Sequence, residues 1–190
     1  MVTVAHTGAV ATPKTASTHA FGEIAWAVTR VGLGFIFLWA FLDKTFGLGR
    51  STPAAKAWLE GGSPTKGFLS SVEGPFAGAF HGLAGNVIAD WLFMAGLAGI
   101  GIALIAGIGM RIAAVSGVLM MVLMWAAGLP IATNPFLDDH LIYALVIAGI
   151  AATGAGLRYS LAGVWAPLVA KAPGSGKRLT EILRGGHEHA

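Results

Sequence analysis

Five polar residues stand where apolar stretches begin or end: Asp43, Lys44, Asp138, Asp139 and His140. At a membrane boundary such a set can handle protons or a polar headgroup. Imidazole titrates near neutral pH, so His140, like His81 earlier in the chain, can carry a proton. Ionisable groups at membrane depth are costly and tend to be functional. The same residues also suit a blander role as interfacial charges and helix caps, since acidic side chains favour a helix N-terminus. The sequence leaves both readings open. A metal site built from His140 with Asp138 or Asp139 is disfavoured. Adjacent helical residues diverge by about 100°, and no His-x3-His spacing exists, so no metal site is assigned.

Other polar and aromatic residues fall near the same boundary. Asp90 opens one apolar stretch, and Asn134 precedes another. Trp39, Trp91 and Trp125, with His81, can line a quinone pocket, which needs apolar walls and a few polar contacts. Interface anchoring explains the tryptophans equally well. Lys44, Lys56 and Lys66 can attract an anion. Arg30 lies inside the first apolar stretch, with Glu23 two turns earlier on roughly the same face. It reads as an arginine that snorkels to the interface, the alternative being a partner within the bundle or a lipid or quinone headgroup.

The elements that position these residues are membrane helices. Of 190 residues, 55% are hydrophobic and 11% charged, against about a quarter charged in soluble domains. Mean hydropathy is +0.73. The 28 glycines suit close helix packing in a bilayer. The absence of cysteine excludes disulfides, thiol catalysis, iron–sulfur clusters and zinc-thiolate sites. The fold class is all-α, a polytopic four-transmembrane-helix bundle with a long outer loop carrying short interfacial helices.

The spans are expected at about Ile24–Leu42, Val87–Ile108, Ile112–Ile131 and Leu141–Leu157, each near the roughly 20 residues that cross a bilayer. Residues 1–21 read as a flexible cytoplasmic tail, 22–168 as the membrane domain with its outer loop at about 46–86, and 169–190 as a basic cytoplasmic tail. Within the loop, Ser51-Thr52-Pro53 is a helix start. It leads into AAKAWLE, which ends at Gly61-Gly62, and Ser63-Pro64 starts another. Ala95, Gly99, Ala103 and Gly107 form a small-residue stripe, as do Ala144, Ala148, Ala152 and Gly156. The two stripes predict that spans two and four pack together. The terminal His187-Glu188-His189 reads as solvated tail.

With four spans, both termini share a side. That side carries Lys14, Arg111, Arg158, Lys171, Lys177, Arg178 and Arg184, against Lys44, Arg50, Lys56 and Lys66 opposite. The positive-inside rule therefore places both termini in the cytoplasm. The basic pI near 9.5 reflects these flanks facing anionic lipid, with no nucleic-acid partner implied.

Three blocks carry a family resemblance: FIFLWAFLDKTFGLG at 35–49, AWLEGGSPTKGFL at 57–69 and NPFLDDHLIYAL at 134–145. In this order, with four spans, the chain resembles the DoxX/DoxD family of small membrane proteins, in the DoxD-like branch associated with thiosulfate:quinone oxidoreductase. The resemblance covers residues 22–168. It implies a multi-pass subunit of a quinone-linked redox complex in a prokaryotic cytoplasmic membrane, with thiosulfate as electron donor, quinone as cofactor, and partner subunits or further copies of the chain beside it. The family supplies no catalytic set. Asp43, Lys44, Asp138, Asp139 and His140 are candidates by position and chemistry, and the loop and the turn before span four are expected to converge on the Asp43-Lys44 end. The competing function is a non-enzymatic membrane anchor or assembly subunit, which the missing redox motifs favour. A small transporter is disfavoured for want of an inverted repeat or a broken helix pair.

Overall fold

A computed structural model of the chain describes residues 13–132 and 134–164. Six α-helices account for most of them, and no strand occurs among the described residues. The first helix, α1, runs Pro13–Phe46. Two short helices, α2 (Lys66–Ser70) and α3 (Ala77–His81), lie in the connection that follows. Then come α4 (Val87–Ala106), α5 (Met110–Ala127) and α6 (Asp139–Thr153). Among the described residues, three helical segments are long and apolar enough to cross a membrane: Thr18–Phe46, Val87–Ala106 and Met110–Ala127.

The fourth expected span is shorter than the sequence suggests. Helix α6 has 15 residues, about 22 Å of rise against a hydrocarbon core of about 30 Å. It stops at Thr153 because Gly154 takes the left-handed conformation (φ 68°), and Gly156 follows at φ 71°. Gly156 lies against α1, where an added Cβ would come within 2.5–2.6 Å of the backbone of Ala27 and Trp26. Only glycine meets both demands. A single turn of 3-10 helix, Leu157–Tyr159, then lies where the span was expected to end.

The N-terminal boundary also moves. Residues 13–21, expected as flexible tail, belong to α1, which opens on proline in its first turn. The tail up to residue 12 and the basic tail 169–190 with its histidines lie outside the described residues. In the loop, AAKAWLE is not one helix. Two 3-10 turns, Ala54–Lys56 and Trp58–Glu60, are separated by extended Ala57 (φ −60°, ψ 146°), and Gly61 at φ 82° ends the second.

Packing follows a different pairing from the one the small-residue stripes suggest. Helix α1 packs along α4, and α5 along α6, with a lesser α4–α5 contact. The closest approach of α1 and α4 is glycine on glycine. A Cβ on Gly34 would lie 2.9 Å from the Gly101 carbonyl oxygen, and one on Gly101 would lie 2.8 Å from the Leu38 nitrogen. Ala95 and Gly99 of the supposed stripe are instead exposed, Gly107 is the C-cap of α4, and Gly156 lies outside α6. The core gathers Leu33 and Phe37 of α1, Met94, Leu97, Ile100 and Leu104 of α4, Met110 and Met121 of α5, and Ala144, Ile147 and Ile150 of α6. Gly117 of α5 makes room for Ile147 and Ile100 on either side.

Arg30 is fully buried, not snorkelled. It sits on the inward stripe of α1 that also holds Ala27, Leu33, Gly34 and Phe37, a three-and-four spacing that keeps these side chains on one face. Its Nη1 donates to the carbonyls of Leu104 and Ile105, and its Nη2 to that of Tyr159. The last carbonyls of a helix lack intrahelical donors, and the C-terminal end of the helix dipole favours a cation. Arg30 therefore closes the end of α4 and ties the segment after α6 to it. Glu23, the expected neighbour, accepts from the Gly156 amide at 3.2 Å instead.

Candidate functional site

The connection between α1 and α4 folds over one end of the bundle as a roof, and two buried carboxylates pin it. Asp43, 1% exposed, lies in the last turn of α1. Its oxygens accept from the amides of Arg50 and Ser51, both at 3.1 Å, and from the Ser51 hydroxyl at 2.7 Å. Asp90, 6% exposed, faces the roof from the first turn of α4. One oxygen accepts from the Ser63 hydroxyl at 2.9 Å, the Thr65 hydroxyl at 2.6 Å and the Thr65 amide at 3.1 Å. Buried charge persists only when bonded in this way. Asn86 caps α4 through the amides of Ile88 and Ala89. Within the roof the His81 ring donates to the Val72 carbonyl at 2.9 Å.

Beneath the roof, α4 and α5 part to leave a cavity of about 800 Å³. Its walls are Leu92, Phe93 and Gly96 of α4 and Leu119, Met120, Leu123 and Met124 of α5. Its head is polar, bounded by Lys44 of α1, Lys56 of the first 3-10 turn and the residues Ser51, Thr52, Ser63 and Thr65. The space thus has an apolar body and a cationic end. The size falls within the range of small-molecule sites.

The expected residues distribute unevenly around this cavity. Lys44 and Lys56 line it. Trp39, Trp91, Trp125 and His81 are not among its lining residues. Trp91 stacks edge-on against Trp58, ring centres 4.7 Å apart. Trp39 lies on Phe35 at 5.9 Å. The Trp125 indole donates to the Phe136 carbonyl at 2.9 Å. The cavity is assembled from residues 44 to 127, mostly aliphatic, hydroxyl and methionine side chains that carry no separate signature.

The turn before α6 is a local unit. Asn134 accepts from the amides of Phe136 and Leu137. Asp138 caps α6 through the Leu141 amide at 3.2 Å and bonds the His140 ring at 2.7 Å. Partial burial alone would raise the Asp138 carboxyl. The bonds from His140 and Leu141, and the attraction of the imidazolium, outweigh it and hold the group below its ordinary value. Asp138, Asp139 and His140 place one ligand atom each within 4.8 Å of one another. The helical divergence expected to separate them does not apply, because Asp138 is an extended cap residue (φ −136°, ψ −179°) and not part of the helix. Among the described residues no hydrogen bond or ion pair joins this group to Asp43 or Lys44, whose surroundings come from the roof. The two ends expected to converge have separate hydrogen-bond networks among the described residues.

The described residues thus form an all-helical protein with three helices long and apolar enough to cross a membrane and an amphipathic cavity under a pinned loop. Comparison with protein-family models, curated proteins and solved structures gives no match.

Proposed function

We propose that the chain is the quinone-holding membrane subunit of a redox complex in a prokaryotic cytoplasmic membrane, with thiosulfate as donor and both termini on the cytoplasmic side. The cavity under the roof carries this reading. Its aliphatic and methionine walls suit a ring with an apolar tail, and its polar head suits the carbonyl oxygens of a quinone. Two of the three blocks that resemble DoxX/DoxD proteins contribute to it, through Lys44 and through Ser63, Pro64, Thr65, Gly67, Phe68 and Leu69. The chain has no cysteine to hold an iron–sulfur or thiol centre, and in this reading a partner subunit supplies the redox centre that delivers electrons to the quinone. The competing reading, a non-enzymatic anchor, draws on the fate of Asp43 and Asp138, whose oxygens are engaged in holding the fold.

The test is thiosulfate-dependent quinone reduction by the chain purified with its native partners, beside a variant whose cavity is filled. Leu119 lines the cavity and is 58% exposed, so Leu119→Trp is expected to fold and to lose quinone binding and reduction together. Full activity in that variant would place the quinone elsewhere. Inactivity of the folded, quinone-loaded wild-type complex would favour the anchor.

A further inference from the structure

The head of the cavity has a marked charge asymmetry. Lys44 and Lys56 line it, and no carboxylate does. Among the described residues neither ammonium makes a hydrogen bond or ion pair. The nearby acids spend their hydrogen bonds on the roof: Asp43, whose charge also attracts the neighbouring Lys44, bonds residues 50, 51 and 52, and Asp90 bonds residues 63 and 65. The hydroxyls are committed too. Ser51 donates to Asp43, Ser63 and Thr65 to Asp90, and Ser116 on the α5 wall to the Ile112 carbonyl. The Thr52 side chain likewise bonds Asp43, so a ligand head meets the two ammonium groups as its donors. Neither α4 nor α5 contributes a charged residue to the lining.

We propose that the cavity binds its quinone as an anion, an ionised hydroxyquinone or the deprotonated reduced form, held by Lys44 and Lys56. This rests on the quinone reading above. Two cations at the edge of an apolar groove are poorly screened by water and bind a negative oxygen more strongly than a neutral carbonyl. The buried acids serve this by fixing the roof without entering the lining.

The experiment uses the full chain in phosphatidylcholine nanodiscs and two probes. One is a 2-hydroxy-3-alkyl-1,4-naphthoquinone, ionised at neutral pH, and the other its neutral 2-methoxy ether. The hydroxy probe is expected to bind about tenfold or more tighter at low salt, the scale of one charge-assisted bond. In the Lys44→Gln/Lys56→Gln double variant that preference is expected to vanish while the ether binds as before. Lys44→Arg/Lys56→Arg, which keeps the charges, retains it and separates loss of charge from loss of fold. Equal affinity for both probes, with both displaced by Leu119→Trp, overturns the anion preference and leaves the quinone reading standing. If neither probe binds while added phosphatidylglycerol does, in a lysine-dependent way, the quinone reading falls and the cationic head remains as a lipid anion site.

Discussion

The Arg30 guanidinium donates to the Tyr159 carbonyl at 2.9 Å, joining residues 129 positions apart at the end of the bundle opposite the roof. The same side chain closes the last turn of α4. Replacing it strands the carbonyls of Leu104, Ile105 and Tyr159. Arg30→Gln is expected to cost about 3 kcal/mol, on the scale of breaking a buried charged network. Arg30→Lys should fare little better, because one ammonium cannot reproduce the planar fork. Thermal unfolding in detergent measures both. A surface anchor would show a loss within about 0.5 kcal/mol.

A second prediction concerns the α1–α4 contact. A Cβ at Gly34 would meet backbone atoms at 2.9 Å, and one at Gly101 at 2.8 Å. Backbone cannot swing aside as a side-chain tip can. Gly34→Ala and Gly101→Ala are each expected to cost about 1–3 kcal/mol by overpacking. Gly99→Ala is the contrast: nothing lies within 4 Å of its added Cβ, so it is expected to be neutral or to stabilise by up to about 1 kcal/mol through helix propensity. Melting temperatures of the three variants, compared in one detergent, decide between the two glycine faces.

These two cases show how far the sequence was legible. Hydropathy places α4, α5 and the C-terminal end of α1 within a few residues, because length and apolarity are local properties, but it misses the polar N-terminal start of α1 at Pro13. Partner choice is not local. Small residues recur every four positions along α4, yet the face that packs is set by Gly34, Phe37 and Arg30 on α1, whose three-and-four spacing was the overlooked signal. The partners of Arg30 are main-chain carbonyls, which no residue type announces. Asp43, Lys44, Asp138 and His140 were recognisable as polar groups at helix ends. Their division into two hydrogen-bond networks was not, since it depends on where the loop folds back. The cavity was least legible, being a gap between helices.

The Asp138–His140 pair gives a pH prediction. The Asp138 carboxyl is held below its unfolded value by the His140 bond and the Leu141 amide. A depressed folded value means the contribution is complete above the ordinary aspartate value of about 3.9 and is lost as pH falls through the lower, folded one. The start of α6 is therefore expected to loosen only in that acid range. Asp138→Asn should remove this component of the pH dependence while keeping the cap, and Asp138→Ala should weaken the cap by about 1 kcal/mol at neutral pH. Hydrogen exchange at the Leu141 amide, followed from neutral to acid pH, reads it directly. An unchanged acid profile in Asp138→Asn would assign the transition to another group.

The last prediction concerns the roof. A single oxygen of Asp90 takes three bonds from Ser63 and Thr65, and this clamps the segment before α2 onto the top of α4. Hydrogen bonds to a charged acceptor are worth about 1.5–3 kcal/mol each, though they share one acceptor and do not add. Asp90→Ala is expected to release the segment and speed exchange of the Thr65 amide by about tenfold to a hundredfold. Asp90→Asn keeps an acceptor oxygen in place and should lie between alanine and wild type. Exchange in the middle of α4, where Met94 and Leu97 are buried, should stay unchanged, because the core below does not depend on the roof. The same variants separate roof from cavity wall. If Asp90→Ala weakens ligand binding while Leu92 and Phe93 remain packed, the head of the cavity depends on the clamp. If exchange at Thr65 is unaltered in Asp90→Ala, the roof is held by its own 3-10 turns and short helices, and Asp90 contributes nothing to its position.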